Sequence, residues 1–201
     1  MARETIPIWG EIVADAPYPM GFEEFERLPD DGKHYELVQG RLLRMPPPGG
    51  QHAKIAAKLL AALLTFVEQS NLGGDVLGEM GFRLPMPGKV ELTELEPDLS
   101  YVRAGRAPAP DSPEYPKAWS LAPDLVVEIA SPDQYRPEMA EKARQYLAAG
   151  VRLVWMIWPK RQQIDVWRPE YDTPVDTLAL NEALDGLDVL PGFSYPLSKL
   201  F

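Results

Sequence analysis

Four residues carry the chemistry that this sequence can offer: Asp98, Glu128, Lys142 and Glu36. Glu128 stands inside the apolar run Asp124-Leu-Val-Val-Glu128-Ile-Ala. A carboxylate in such a run is costly to bury unless it pairs, binds a metal or is protonated. The plain alternative is a strand-end Glu that meets a Lys or Arg. Asp98 follows Pro97 and opens the apolar segment Leu99-Ser-Tyr-Val102. Asp124 repeats that Pro-Asp-Leu pattern, so at least one of the two is a turn device. Lys142 lies on the border of a helical apolar arc formed by Met139, Ala143, Tyr146 and Leu147. There it either snorkels to water or reaches back over the strand that ends at Glu128. Glu36, in Tyr35-Glu36-Leu37-Val38, alternates with apolar neighbours and can simply face solvent. His52 opens a helix after a proline connector, and His34 reads as a surface residue.

Two carboxylates on neighbouring strands, a third nearby and a lysine on the following helix suit a hard divalent cation, which prefers carboxylate and water oxygens. A metal so held stabilises a phosphoryl transition state and acidifies water. A lysine beside it neutralises developing charge.

Several elements must position these groups. Phe22–Leu28 reads as a short helix. Residues 35–38 and 41–45 form a hairpin about Gln39-Gly40, where glycine supplies a positive φ. Pro46-Pro-Pro-Gly-Gly50 is a stiff connector. Residues 51–69 are the clearest helix, with Ile55, Leu59, Ala62, Leu63, Phe66 and Val67 at helical steps. Val76–Leu84 reads as one strand interrupted by Gly78 and Gly81, and Asp98–Val102 as another. Residues 104–118, with four prolines, are a surface loop. Asp124–Ile129 and Arg152–Trp158 are buried strands about a helix over 138–149, and Gln163–Arg168 is a hairpin partner. Residues 1–20 read as irregular, and 172–201 as short strands and turns. The whole chain, 1–201, is one α/β domain with a mixed sheet.

Composition narrows the functions. The chain has 201 residues, with 30 acidic against 20 basic ones, a net charge of −10. Zero Cys excludes disulfides, thiolate zinc sites and cysteine nucleophiles. The start lacks a signal-peptide pattern and no window reaches membrane-span length, so a soluble, cytoplasmic protein without membrane contact is expected. The acidic balance argues against tight non-specific DNA binding. No phosphate-cradling glycine loop, dinucleotide fingerprint, nucleophile elbow or zinc-protease helix is present. Arg103, Arg106, Lys160 and Arg161 are candidate phosphate contacts, with a solvated surface as the plainer account. The aromatic run Trp155-Met-Ile-Trp158 and Trp167 reads as core first and as a subunit interface second.

The ordered motifs resemble a large bacterial family, abundant in cyanobacteria, with a restriction-endonuclease-like domain. They are Tyr35-Glu36-Leu-Val-Gln-Gly40, Pro-Pro-Gly-Gly-Gln-His52, Pro97-Asp98, Pro123-Asp124 through Glu128 to Ser131-Pro132, Glu141-Lys142, Tyr146 and Ala149-Gly-Val151. The resemblance spans about residues 20–170. It implies a fold similar to the PD-(D/E)XK nuclease core, a central mixed sheet flanked by helices. On that pattern Asp98 matches the strand-opening Asp and Glu128 the second carboxylate. The expected strand lysine is replaced by Ala130, and Lys142 matches a lysine moved to the next helix. Glu36 matches the first-motif acid, His52 and Tyr146 match recurrent positions, and Asp124 looks like a motif neighbour that competes with Asp98. The resemblance implies hydrolysis of nucleic-acid phosphodiester bonds, DNA first, with Mg²⁺ or Mn²⁺ held by Asp98 and Glu128. It also implies a homo-oligomer, a dimer in the simplest case. The competing reading is a non-catalytic or partner-dependent assembly protein that keeps the fold.

Overall fold

The computed structural model describes residues 9–86 and 92–201. In chain order its elements are β1 (Glu11–Ile12), α1 (Phe22–Glu26), β2 (Tyr35–Val38), β3 (Arg41–Arg44), α2 (Gly50–Ser70), β4 (Asp75–Gly78), β5 (Phe82–Arg83), β6 (Glu94–Leu95) and β7 (Leu99–Val102). There follow β8 (Leu125–Ile129), α3 (Arg136–Ala148), β9 (Leu153–Trp158), a 3₁₀ turn (Pro159–Arg161), β10 (Gln163–Trp167), β11 (Asp176–Leu178), β12 (Ala183–Asp185), β13 (Ser194–Pro196) and α4 (Leu197–Leu200).

A six-stranded sheet runs in the order β11-β10-β9-β8-β7-β4. It is mixed because β8 and β9 pair in parallel through the α3 crossover, while the other neighbours are antiparallel. Strands β8 and β9 are buried along their whole length, as their uninterrupted apolar runs require. One face of this sheet, carrying Leu125, Val127, Trp155 and Ile157, packs on Ile55, Leu59, Leu63 and Val67 of α2 and on the C-terminal segment. The opposite face, carrying Val126, Val154 and Met156, packs on Met139, Ala143 and Tyr146 of α3.

The expected single sheet is instead accompanied by a two-stranded β12-β13 pair in the tail and by a larger second sheet. Five antiparallel strands, β1-β3-β2-β6-β5, place Val38, Leu43, Phe82 and Leu95 in the same core layer as α3. Their outer face, with Leu37 and Leu42, is covered by Met20 and by Phe22 and Phe25 of α1. The hairpin turn has positive φ at both Gln39 (51°) and Gly40 (78°), the twist-matching geometry for a two-residue connection.

The strand expected over Val76–Leu84 is divided between the sheets, β4 in the mixed one and β5 in the antiparallel one. Glu79 at φ 48° re-aims the chain between them. Gly81 packs against Ala118, where a Cβ would lie 3.2 Å from the Ala118 Cβ. Helix α3 begins two residues earlier than its periodicity suggests, with Pro137 accommodated in the first turn. The tail adds the short helix α4, and Glu11–Ile12 forms an edge strand in a segment expected to be irregular; residues 1–8 lie outside the described residues. Trp155, Met156, Ile157, Trp158 and Trp167 are all buried, so this aromatic run belongs to the core.

Candidate active site

β8 presents Glu128 on the same face as Val126, toward α3, because side chains alternate along a strand. Helix α3 answers with Lys142 and Tyr146, one turn apart and both buried. The Tyr146 hydroxyl donates to Glu128 Oε1 at 2.6 Å, and Lys142 Nζ lies 2.8 Å from the same oxygen. Lys142 also donates to Glu36 Oε1 at 2.9 Å.

Of the two readings open for Glu36, a solvent-facing strand residue or a first-motif acid, burial rules out the first. Glu36 shares a strand face with Val38, which faces α3, and only 1% of it is exposed. Its Oε2 accepts the Trp9 indole N–H at 2.6 Å, and its Oε1 also accepts the Glu96 backbone N–H at 3.2 Å. Nothing in the sequence pattern marked Trp9 for this role. Its one signal was a lone tryptophan in a Pro-rich segment.

Asp98 sits one position before β7, beside β8 where Leu99 pairs with Val127. Its Oδ2 accepts the Ile129 backbone N–H at 2.6 Å, and its Oδ1 lies 3.0 Å from His52 Nε2 at the start of α2. Asp98 and Glu128 thereby come from adjacent strands to one pocket of about 70 Å³, room for a few water molecules. Glu36, His52, Lys142, Glu79 and Glu96 also line it. The pocket opens at the carboxyl end of β8, where open α/β sheets bind ligands. Glu79 and Glu96 were missed by sequence reasoning, although Glu96-Pro97-Asp98 puts the latter beside a chosen residue.

Asp124 is not brought there. At the other end of β8 its Oδ2 accepts the Arg103 backbone N–H at 2.9 Å and Arg106 Nη1 at 2.6 Å. This carboxylate anchors the loop after β7, which settles the choice between the two Pro-Asp-Leu aspartates as pocket residues in favour of Asp98. The same contacts engage the Arg106 side chain internally, whereas Arg103 is held through its backbone and its side chain is 57% exposed. Ala130 is buried in the core and offers no charge.

The electrostatics follow from burial. Desolvation pushes the Glu128 carboxyl up to about 7, against the pull of Lys142 and with repulsion from Asp98 and Glu36. Desolvation likewise pushes Glu96 up to about 7; His34 opposes the rise, and Glu36 and Glu79 add to it. Burial alone would lower Lys142, but Glu128 and Glu36 outweigh it and raise its pKa, so it remains an ammonium. Burial and Glu128 raise Tyr146 well above the usual phenol value, which keeps it a donor. Burial also opposes protonation of His52, yet Asp98 outweighs it and the His52 pKa rises. One ammonium thus serves several carboxylates, and the pocket carries surplus negative charge.

The sequence profile of a family described as Uma2, "Putative restriction endonuclease", matches residues 22–198. The chain belongs to the Uma2 family. The Uma2 match covers every candidate site residue, whereas Trp9 lies before it. The Uma2 chain is also similar in structure to a crystal structure described as a putative nuclease from Anabaena variabilis, a member of DUF820. The TM-score is 0.76 at 22% identity, over 91% of this chain and 98% of that one. That likeness shows a shared fold. No curated protein matches the sequence.

Proposed function

We propose that this chain is a metal-dependent nuclease that hydrolyses nucleic-acid phosphodiester bonds, DNA being the first substrate to test. The observation that carries the reading is the convergence of Asp98 and Glu128 on one water-sized pocket with surplus negative charge. Family membership and fold support it.

The donor set suits a hard divalent ion. Among the described residues no group of three or more His, Asp or Glu is placed to form a protein cage for a metal. Mg²⁺, however, is commonly held by one or two carboxylates, with water and substrate oxygens completing its shell. Asp98 and Glu128 are the pair that would hold Mg²⁺ or Mn²⁺, which would supply Lewis acidity to a phosphoryl oxygen. No protein donor among the described residues reaches Glu128 Oε2, so that oxygen is left for a ligand.

The chain's own residues then divide the work. Lys142, fixed as an ammonium, spends two of its three N–H donors on Glu36 and Glu128 and lines the pocket with the third available for a developing phosphoryl charge. It is not the base. His52 and the Ile129 N–H hold Asp98 in place, as Tyr146 holds Glu128. Glu96, half-buried in the pocket wall with a pKa near neutrality, is suited to exchange a proton with an attacking water. Cutting both strands of a duplex needs two such pockets, which favours a homodimer.

A non-catalytic or partner-dependent role is the second reading. It is favoured by the −10 net charge and by the buried ion pairs of Glu36 and Glu128 with Lys142, which give both carboxylates a structural partner. The deciding experiment is cleavage of labelled single- and double-stranded DNA with Mg²⁺ or Mn²⁺, beside Glu128→Ala. Cutting by the wild type at least about 10²-fold above the variant is expected. Equal cutting by both proteins refutes the site. Absence of cutting, together with absence of Mn²⁺ binding by calorimetry, gives the second reading.

A further inference from the structure

Beside the acidic pocket lies a second cavity, a trough of about 450 Å³ that shares His52, Ser131 and Gln134 with it. Its size falls within the range of small-ligand sites. Its chemistry is the reverse of its neighbour's. Trp158 and Pro159 give it apolar walls, and Arg136, Lys160 and Arg161 line it, with no Asp or Glu among its lining residues. Such a concentration of cations is unexpected on a chain with ten surplus negative charges.

The cations differ in availability. Arg136 is engaged with Gln163 at 3.0 Å and lies over the Trp158 ring at 5.2 Å, so it stiffens the wall. Among the described residues Lys160 and Arg161 form no ion pair, and Lys160 contacts only the Pro132 carbonyl, at 3.1 Å. The N-termini of α2 and α3 also open on the trough, through Gly49, Gln51, Tyr135 and Arg136, and neither has a side-chain cap. Their partial positive charge adds to that of the free cations. At the rim stands Tyr135, 69% exposed, the most exposed large hydrophobic residue among those described.

An apolar slot with free cations and an exposed aromatic ring fits an anion that carries a flat apolar body. We infer that the trough binds one unpaired nucleotide of a single-stranded nucleic acid, its base against Tyr135 and its phosphates facing Lys160 and Arg161. The strand's next phosphate then falls toward the acidic pocket. Stacking on aromatic side chains tolerates every base, so the trough imparts a preference for unpaired strands rather than for sequence. The inference rests on the nuclease reading for the identity of the polymer, and its test needs neither metal nor cleavage.

The experiment measures fluorescence anisotropy of a labelled oligothymidylate and of a matched duplex in EDTA, with the wild type, Tyr135→Ala and the double variant Lys160→Gln/Arg161→Gln. The wild type is expected to prefer the single strand. Tyr135→Ala is expected to weaken that binding by roughly fivefold to a hundredfold. The double variant lowers the salt slope by about 1.4, the share of two phosphate contacts on single strands. Because the double variant leaves the start of α3 intact, it tests the trough even if Tyr135→Ala disturbs that helix. Single-strand binding that is unchanged in both variants overturns the inference, whether or not the protein cuts DNA. A duplex preference insensitive to Tyr135→Ala also overturns it. Tyr135-dependent binding by a protein that cuts nothing upholds the trough and removes the nuclease reading alone.

Discussion

The two ends of β8 carry buried carboxylates in opposite electrostatic circumstances. At its start, Asp124 faces Arg103, Arg106 and Arg152, three guanidinium groups for one carboxylate. At its end, Glu128 shares a single ammonium with Glu36. The first arrangement is rich in cations, although Asp124 Oδ1 accepts no hydrogen bond, and it does not line the acidic pocket. The second is short of positive charge and borders a space that water can enter. A buried acid alone therefore says little about function. What separates the two is the local count of cations and the presence of an unoccupied acceptor on the cavity side.

Removal of single cations breaks this comparison most directly. Lys142→Met leaves Glu36 and Glu128 buried with hydrogen-bond donors but without a counter-charge. We expect a loss of about 3–5 kcal/mol in urea unfolding, the range for breaking a buried ion pair from one side. A loss under about 1 kcal/mol would mean that the two carboxylates share a proton and do not need the ammonium. The surplus charge at the Glu128 end also predicts a pH dependence. Because Glu96 and Glu128 have pKa values raised from 4.5 to about 7, the folded state binds more protons than the unfolded chain in that window. Stability is then greatest below about pH 4.5 as far as these groups are concerned, and declines as pH rises toward 7. Glu96→Gln should flatten the decline by roughly 1–2 kcal/mol, allowing for solvent screening of a half-buried group. An unchanged slope between pH 5 and 7.5 would remove Glu96 from the set. The smallest effect belongs to the cation-rich end. Arg152→Ala removes one of three cations near Asp124 and a partly exposed pair with Asp188, so thermal unfolding should register under about 1 kcal/mol.

Local pattern made much of this fold legible. The hairpin about Gln39-Gly40, the helix with Ile55, Leu59, Leu63 and Val67 on one face, and the two apolar strands around α3 all follow from periodicity and turn residues. The border position of Lys142 left open a snorkel to water or a reach over the strand that carries Glu128, and the structure has the reach. Glu36 was legible as a motif acid, but its burial was not. Alternation says that Tyr35 and Glu36 face opposite ways, but not which face is covered, and here both are. The second sheet arises from long-range pairing of strands two to four residues long, too short to show a period. Gly78 and Gly81 signalled an interruption within Val76–Leu84 without showing that its halves join different sheets. Trp9 and Glu96 escaped because each meets the site through residues far along the chain.

The Glu36–Lys142 contact joins residues 106 positions apart. It therefore imposes an order on folding. The β2–β3 hairpin can form as soon as it is synthesised, since its partners are adjacent in sequence. Closing its Glu36 face over the core before α3 exists would strand a lone charge in an apolar layer. Docking of the hairpin is therefore expected to wait for Lys142 from the second half of the chain, and hydrogen exchange on a fragment that ends before α3 would show the hairpin undocked at this seam. The acid that helps to set the pocket's charge thus also serves as a checkpoint on assembly.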